Sequence, residues 1–239
     1  VARALLHVGW QRVDATADTI VVTDPKVEIT LGGIAKGYIA DRVRDLLATR
    51  GVRDAFISLG GNVVVMGQSP HGRPWNVGVR SPDFHRDQQK KRIEYEAIAR
   101  SPHGIDTRAL HDLERKPEKP LCVLSCSDLS VVTSGIYERC FLDKTTGKMY
   151  HHLIDPKTGY PCESDLAGAT VLSRTSLEGD GLSTALVIMG RERAAAFIRE
   201  QTDAAVLLVG RDGTVAIAGN EKILEETRAG EIPGVELLK

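Results

Sequence analysis

The sequence predicts an α+β fold with a mixed or antiparallel sheet and flanking helices. Short apolar segments that end at glycines or polar turns, such as Ala55–Leu59 and Gly168–Leu172, are typical of strands. Turn residues such as Arg211-Asp212-Gly213 separate neighbouring apolar runs and predict antiparallel hairpins. With 239 residues, of which 42% are hydrophobic, the chain can bury a sizeable core.

The first eighty residues predict a strand, a helix and then a meander of strands. The strand at Val27–Leu31 leads into the glycine-rich turn 32–37, and the helix that follows should end near Gly51. The apolar side of this helix is predicted to consist of Ile39, Val43, Leu46 and Leu47. The meander is predicted from Ala55–Leu59, Val63–Met66 and Trp75–Val79.

Residues 82–120 differ in character from the rest of the chain. They are rich in charge and bounded by prolines, and they carry only a weak helical pattern near Ile93–Ile98. We interpret them as a partly helical surface insertion. The basic cluster Lys90-Lys91-Arg92 is more typical of a solvated face than of a binding site.

The second half predicts strands around two helices. Leu129–Thr133 is a predicted strand, and Tyr137–Leu142 and Lys148–Ile154 are the predicted arms of a hairpin. A helix should begin near Thr175, because Thr175-Ser176-Leu177-Glu178 fits a capping box, and should stop at Gly190. A second helix is predicted at 191–201, before a closing hairpin of Val206–Val209 and Thr214–Ala218.

Composition excludes several classes of protein. The formal net charge is -1, with 31 basic and 32 acidic residues, so a broad basic face for nucleic acid is not expected. No apolar run reaches the roughly 20 residues that span a bilayer. The four cysteines form no CxxC pair, which argues against structural zinc and favours small, partly buried thiols. The chain begins without Met or a signal segment, so we interpret it as the processed or truncated remainder of a longer product.

The stretch Leu31-Gly32-Gly33-Ile34-Ala35-Lys36-Gly37-Tyr38 is a candidate anion site. A glycine turn that opens a helix offers free backbone N–H groups and a positive dipole end, and Lys36 adds a full charge. The spacing is neither a P-loop nor the GxGxxG fingerprint. A tight turn with an exposed lysine is an equally good interpretation of this stretch taken alone.

The stretch His151-His152-Leu153-Ile154-Asp155-Pro156 ends a predicted strand at a rigid turn. Adjacent residues of a strand point to opposite faces, so only one histidine can face a given site. A histidine in such a place is more often structural, but a strand end before a rigid turn is also where a catalytic group can be held.

A third stretch, Asp180-Gly181-Leu182-Ser183-Thr184, lies on the predicted helix. Asp180 and Thr184 are four residues apart and therefore share a face. A carboxylate and a hydroxyl oxygen suit Mg²⁺, although an acidic residue near a helix start also serves the helix dipole. Gly179 and Gly181 each cost roughly 1 kcal/mol relative to Ala, which suggests that something bulky approaches the helix there.

Taken together and in this order, these stretches resemble the ApbE family of FAD:protein FMN transferases. The matching motifs are LGGIAKGY (31–38), SLGGN (58–62), TSG (133–135), HLIDPKTGYP (152–161) and DGLSTA (180–185). The resemblance implies an ApbE-like, T-fold-like architecture in a single domain over 1–239. It also implies that this domain is N-terminally truncated relative to the family and that 82–120 interrupts it.

The resemblance assigns roles to individual residues. Mg²⁺ would be held by Asp180 and Thr184, with the backbone carbonyl of Gly33 and a contact at Ser183. His152 would be the general base, and Asp155 would hold the turn that places it. The implied FAD contacts are Thr30, where the family usually has Asp, and Gly33, Lys36, Ser134, Ile154 and Thr158.

The implied activity is Mg²⁺-dependent transfer of FMN from FAD, through a phosphoester, to a Thr or Ser of an acceptor protein with release of AMP. Two alternatives stay open: an FAD-binding protein without transfer activity, and a pyrophosphatase that splits FAD into FMN and AMP. The resemblance also implies a location in the periplasm or on the outer face of the cytoplasmic membrane.

Overall fold

A computed structural model of the protein describes residues 1–82, 120–143, 145–146, 149–229 and 235–238, and it confirms the α+β class. The predicted insertion at 82–120 lies almost entirely outside the described residues. The helices are α1 (Ala2–Leu5), α2 (Ala35–Thr49), α3 (Ser176–Met189), α4 (Arg191–Gln201) and α5 (Glu221–Glu226), with a 3-10 turn at Trp10–Arg12.

Most described strands belong to antiparallel sheets. The strands are β1 (Val13–Ala15), β2 (Ile20–Val22), β3 (Ala55–Ser58), β4 (Asn62–Met66), β5 (Trp75–Val79), β6 (Cys122–Cys126), β7 (Leu129–Gly135), β8 (Cys140–Leu142), β9 (Met149–His151), β10 (Leu166–Ser173), β11 (Ala205–Gly210), β12 (Val215–Gly219), β13 (Arg228–Ala229) and β14 (Glu236–Leu237). The main sheet has the order β14-β12-β11-β10-β7-β4-β3 and is antiparallel except for the β12–β14 pair. This arrangement confirms a mixed, mostly antiparallel sheet with flanking helices.

The main sheet is covered on both faces. On one face, α3 and α4 pack against β10, β11 and β12, with Leu186 and Ile198 fully buried. On the other face, the sheet of β13, β6 and β5 packs through residues such as Val77 and Leu124. Every residue of β10 is therefore buried, which explains why its sequence is mostly apolar on both faces, with Thr170 and Ser173 buried as well, and does not alternate with exposed polar residues.

The helix predicted to begin near Thr175 and the helix predicted at 191–201 are confirmed as α3 and α4. The Thr175 side chain accepts a hydrogen bond from the Glu178 N–H, as a capping residue does, and α3 ends before Gly190, whose φ is 83°. The closing hairpin also forms, since β11 and β12 pair antiparallel around the turn at 211–214.

The predicted apolar side of α2 is wrong in part. Ile39 and Leu46 are 50% and 56% exposed, whereas Gly37, Ala40 and Asp41 are the buried residues of this helix. The buried face consists of small residues because α2 packs closely against α3. The helical spacing identified the helix correctly, but the face that it predicted to be buried is rotated about the helix axis from the face that is buried.

Other elements also differ from the sequence-based expectation. The strand predicted at Val27–Leu31 is wrong: the segment is non-helical and mostly exposed, and it forms no ladder with the described residues. The hairpin arms are shorter than predicted, covering Cys140–Leu142 and Met149–His151. The strands β1, β2 and β6 and helix α5 were not predicted; β6 pairs with β5 at a distance of more than forty residues along the chain.

The four cysteines are free thiols. Burial raises the pKa of both Cys122 and Cys126 to about 11, so these thiols stay protonated and pack as small apolar groups. Among the described helices, none combines the length and apolar character needed to cross a bilayer.

Candidate active site

A cleft of about 500 Å³ opens where α2, α3, β7 and the β8–β9 hairpin meet. Two walls define it: the helix wall, formed by residues of α2 and α3, and the hairpin wall, formed by 138–139 and 152–154 beside the hairpin. The lining residues are Thr30, Gly32, Gly33, Lys36, Gly60, Gly61, Thr133, Ser134, Gly135, Glu138, Arg139, His152, Leu153, Ile154, Asp180, Thr184 and Ile188. The three candidate stretches therefore converge on one cavity, although Lys36 and Asp180 are 144 positions apart in the sequence.

The helix wall is held by buried carboxylates. Asp180 is 5% exposed, and its Oδ2 accepts a hydrogen bond of 2.9 Å from the Gly37 N–H. Asp41 accepts hydrogen bonds of 2.9 Å from the N–H groups of both Ser176 and Leu177, which begin α3. Two acids thus tie α2 to the N-terminal end of α3, where the helix dipole favours negative charge.

Gly37 makes this junction possible. A Cβ placed on Gly37 would overlap the carbonyl oxygen of Ser176 and lie 2.8 Å from the Cβ of Asp180. Only glycine therefore lets the two helix backbones approach closely enough for the Gly37–Asp180 hydrogen bond. The glycine of the predicted anion turn serves this packing, and its N–H is used by Asp180 instead of remaining free for a ligand.

A chain of hydroxyl groups lies beside Asp180. Ser134 Oγ is 2.8 Å from Ser183 Oγ and 3.0 Å from Thr184 Oγ1, so β7 and α3 meet through their side-chain oxygens. Asp180 and Thr184 line the cleft, as expected for residues on one helix face. Ser183 is fully buried and reaches the cleft through its contact with Ser134.

This donor set fits a small, hard cation. Among the described residues, no group of three or more His, Cys, Asp or Glu side chains is arranged to hold a metal, and the helix wall of the cleft offers one carboxylate, that of Asp180, together with neutral oxygens. Mg²⁺ takes one or two carboxylates and completes its octahedron with neutral oxygens, water and phosphate. The Asp180 carboxylate has one oxygen bonded to Gly37, and the described residues donate no hydrogen bond to the other.

Lys36 projects from the first turn of α2 into the cleft. Its Nζ donates to the Gly60 carbonyl over 3.2 Å, and the described residues provide no carboxylate partner for it. Thr30, Gly32 and Gly33 line the same side, where the Thr30 hydroxyl accepts from the Gly32 N–H over 3.3 Å. An ammonium group without a described carboxylate partner, beside a glycine turn, gives this part of the cleft the character of an anion site.

The hairpin wall separates the two adjacent histidines. His152 lines the cleft, whereas His151 is buried and lines a different cavity together with Cys162 and Arg211. Partial desolvation is the main cause that lowers the pKa of His152 below its ordinary value of 6.5. The charges of the Arg139 guanidinium and of Lys36 also lower it, whereas a hydrogen bond to the Arg139 backbone and the Glu138 charge act in the opposite direction. The imidazole is therefore neutral near pH 7, as a general base must be.

The turn after His152 orients this wall. Asp155 Oδ1 accepts from the Lys157 N–H over 2.8 Å, and Asp155 O accepts from the Gly159 N–H over 2.8 Å. Ile154 lines the cleft, but Asp155 and Thr158 line a neighbouring cavity of about 420 Å³. Asp155 thus organises the turn from outside the cleft, and the predicted direct contact of Thr158 with a ligand there does not match its position.

The expectation that something bulky approaches α3 at its glycines is confirmed at Gly179, where the bulky group is strand β7, and is wrong at Gly181. A Cβ on Gly179 would lie 2.8 Å from Val132 Cγ2, so this glycine lets α3 pack against β7. A Cβ on Gly181 would meet only Ile34 Cγ2, at an ordinary 3.6 Å. The first glycine serves helix–sheet packing, and the second has no steric requirement.

Sequence reasoning missed two charged lining residues, Glu138 and Arg139. The Glu138 carboxylate is bound by Arg80 Nη1 at 2.9 and 3.1 Å. Arg139 shares no ion pair with the residues that the structure describes. The available signal was their place between the TSG motif and the hairpin, which puts them at the strand ends that also present His152.

The fold and the site define a class of protein: an α+β domain whose cleft offers oxygen ligands for a hard cation, a lysine for an anion and a neutral imidazole. The ApbE family model matches residues 1–208, and the chain belongs to the ApbE family. Its ApbE-like architecture is thereby confirmed.

Known relatives share this assignment. A Klebsiella pneumoniae (strain 342) protein named FAD:protein FMN transferase is 33% identical over 211 residues, which cover 88% of this chain and 54% of the relative. A Treponema pallidum (strain Nichols) protein of the same name is 34% identical over 182 residues, covering 76% and 43% respectively. The chain therefore spans about half the length of the curated relatives that it matches.

Solved structures show the same fold. The ApbE protein of Thermotoga maritima MSB8 aligns with a TM-score of 0.70 and 27% identity, over 95% of this chain and 62% of that one. The flavin transferase ApbE of Vibrio cholerae aligns with a TM-score of 0.68 and 23% identity, over 94% of this chain and 60% of that one.

Proposed function

We propose that this chain transfers FMN from FAD to a hydroxyl group of an acceptor protein and requires Mg²⁺. The observation that carries the proposal is the convergence of Lys36, His152, Asp180 and Thr184 on one cleft. The names of the relatives support the reaction class, since those proteins are FAD:protein FMN transferases. A diphosphate requires positive charge and a metal, and a protein hydroxyl requires a base.

The bonds change as in other phosphoryl transfers. The oxygen of an acceptor Thr or Ser forms a bond to the FMN phosphorus, and the bond from that phosphorus to the bridging oxygen of the diphosphate breaks. AMP leaves with the electron pair. The hydroxyl proton passes to His152, whose lowered pKa leaves it free to accept a proton at neutral pH.

Asp180, Thr184 and the backbone carbonyl of Gly33 would hold Mg²⁺, and Ser183 would support Thr184 through Ser134. A bound Mg²⁺ would supply charge neutralisation and Lewis acidity at the diphosphate. Lys36 would hold phosphate oxygens from the start of α2. The buried hydrogen bond from Gly37 would keep the Asp180 carboxylate oriented toward the cleft.

Two other outcomes of the same site are chemically reasonable. His152 is exposed at the cleft wall, so water could replace the acceptor hydroxyl and FAD would be hydrolysed to FMN and AMP. If the cleft binds FAD but holds no nucleophile in line with the FMN phosphorus, the chain would be an FAD-binding protein without transfer activity. All three activities share the diphosphate subsite and differ in the nucleophile.

One incubation separates them. The chain is incubated with FAD, Mg²⁺ and a candidate acceptor protein, and intact masses and nucleotides are measured. A mass gain equal to an FMN phosphoester on the acceptor, with one AMP per transfer, supports the proposal. Free FMN with AMP supports hydrolysis, and bound but unchanged FAD supports binding alone; either of these without modified acceptor would overturn the transferase proposal.

A further inference from the structure

Arg139 is a charged group of the cleft that has no part in the proposed metal site or in the proposed proton transfer. It lines the cleft on the hairpin wall, and its backbone carbonyl accepts from the His152 N–H over 3.2 Å. This bond continues the ladder in which Cys140 faces His151. Arg139 and His152 are therefore cross-strand neighbours, whose Cβ atoms should lie roughly 5 Å apart.

The backbone that carries Arg139 is held firmly. Tyr137 is 5% exposed, and its ring occupies the space that a side chain on Gly135 would need. The Ile136 N–H donates to the Ala167 carbonyl over 2.9 Å, which ties the segment to β10. Arg139 is exposed, but it extends from a backbone that these contacts hold in place.

The neighbouring charges leave Arg139 available for an anion. Glu138 is the adjacent carboxylate, but Arg80 binds both of its oxygens. The charged groups that act on His152 from the described elements around it are Arg139 and Glu138 on the hairpin wall and Lys36 on α2. The cleft therefore has a cation on each wall, and the one beside the base is not neutralised by its sequence neighbour.

We propose that Arg139 is a catalytic residue that binds the FMN phosphate, the phosphoryl group under attack, rather than the departing AMP phosphate. The inference rests on the proposed function. In a phosphoryl transfer, the nucleophile and the leaving group lie on opposite sides of the attacked phosphorus. The base must sit on the nucleophile's side, and Arg139 stands beside that base, whereas Lys36 and Asp180 stand on the other wall.

The chemistry of arginine suits this role. A planar guanidinium donates two parallel hydrogen bonds to phosphate oxygens, which lysine cannot reproduce. Charge builds on the equatorial oxygens of the attacked phosphorus during transfer. A guanidinium placed there therefore stabilises the transition state more than it stabilises the complex with FAD. Loss of Arg139 should therefore reduce kcat more than it raises KM.

The test compares Arg139→Gln, Arg139→Lys and a control, Lys157→Gln, which removes a cation from the adjacent turn outside the cleft. Arg139→Gln should lower kcat for FMN transfer by roughly 10²- to 10³-fold with less than a tenfold change in KM. Arg139→Lys should recover only part of the loss, and Lys157→Gln should behave as the unmodified chain. Transfer by Arg139→Gln within twofold of the unmodified chain would overturn the inference.

A binding measurement tests the same idea without turnover. Affinities for FMN and for AMP, each with Mg²⁺, are measured by calorimetry for the unmodified chain and for Arg139→Gln. The inference requires that Arg139→Gln bind FMN more weakly than the unmodified chain does and bind AMP with the same affinity. An equal loss of affinity for both nucleotides, or a loss for AMP alone, contradicts it. If the unmodified chain transfers no FMN, the proposed function fails on its own, and this measurement still decides whether Arg139 recognises the FMN phosphate.

The pH profile provides a second readout. Removal of the Arg139 cation should raise the pKa of His152, so the acid limb of kcat/KM should move to higher pH in Arg139→Gln. Glu138→Gln removes a nearby anion and should move the same limb to lower pH. An unshifted limb in both variants would show that Arg139 does not stand beside the working base.

Discussion

The helix wall and the hairpin wall of the cleft are built in different ways. The helix wall joins two helices of 14 and 15 residues through buried hydrogen bonds to Asp41 and Asp180. The hairpin wall rests on two strands of three residues each, with His152 and Arg139 exposed at their ends. Asp180, the proposed metal ligand, is thus buried at a helix junction, whereas His152, the proposed base, is exposed at the end of a short hairpin.

This difference predicts how each wall responds to substitution. Changes on the helix wall should alter stability and chemistry together, because the same buried contacts serve both. Changes on the hairpin wall should alter chemistry while the fold survives, because few buried contacts depend on the exposed side chains.

Gly37→Ala should have the largest effect. The new Cβ would overlap the Ser176 carbonyl and force α2 away from α3, so we expect a loss of about 3 kcal/mol in the free energy of unfolding and loss of FMN transfer. Chemical denaturation and the transfer assay measure these two results. Gly181→Ala is the matched control, since its Cβ meets only Ile34 at 3.6 Å and Ala favours the helix by up to about 1 kcal/mol. Equal stabilities for the two variants would contradict the close helix junction.

Asp180→Asn should separate metal binding from folding on the helix wall. Asparagine keeps an acceptor for the Gly37 N–H but loses the charge, so Mg²⁺-dependent transfer should fall at least about 10²-fold while the fold is retained. Asp41→Asn is the control: it weakens the cap of α3 and should cost about 1 kcal/mol of stability without changing the Mg²⁺ requirement. Mg²⁺ titrations of the transfer rate distinguish the two, and full activity in Asp180→Asn would remove the metal assignment.

His152→Ala tests the hairpin wall. Loss of a general base should slow transfer by about 10²- to 10⁴-fold with little change in FAD affinity or thermal stability. His151→Ala removes a buried ring on the other side of the hairpin and should lower stability more than it lowers the transfer rate. The comparison is made by single-turnover transfer rates and melting temperatures, and the reverse pattern would mean that the other histidine is the base.

A smaller effect concerns pH and stability. Burial is the main cause that lowers the pKa of both His151 and His152 below 6.5, so the folded chain binds their protons less readily than the unfolded chain. Their contribution to stability is complete above about pH 6.5 and is lost as pH falls from 6.5 through the lower folded pKa values. Denaturant unfolding between pH 7.5 and pH 5 measures the slope. His151→Gln should flatten it, and an unchanged slope would show that His151 does not contribute.

Local signals were sufficient for several elements. The capping box at Thr175 and the glycine at 190 identified both ends of α3, because these contacts form within a few residues. The strand predicted at Val27–Leu31 failed because an apolar run becomes a strand only when another strand pairs with it. Strand β6 was not predicted because its partner β5 lies on the other side of the long 83–119 interval in the sequence.

The candidate site shows the same difference between what local signals predict and what depends on distant partners. The motifs pointed to Lys36, His152, Asp180 and Thr184, and all four line one cleft. Asp155 and Thr158 belong to the same motif as His152 but face a neighbouring cavity. Arg139 carries no recognisable motif, so its place in the cleft could be seen only once β8 and β9 were paired.

The sequence by itself determined the glycine turn, the start and end of α3, the alternation that separates His151 from His152 and the membership of a family. Only the tertiary structure decided which acid caps α3, which N–H group holds Asp180 and which cation stands beside the proposed base. The physical reason is that these roles depend on partners far along the chain: Gly37 and Asp180 are separated by 143 positions and meet only through helix packing. Local propensity and spacing contain no information about such a contact.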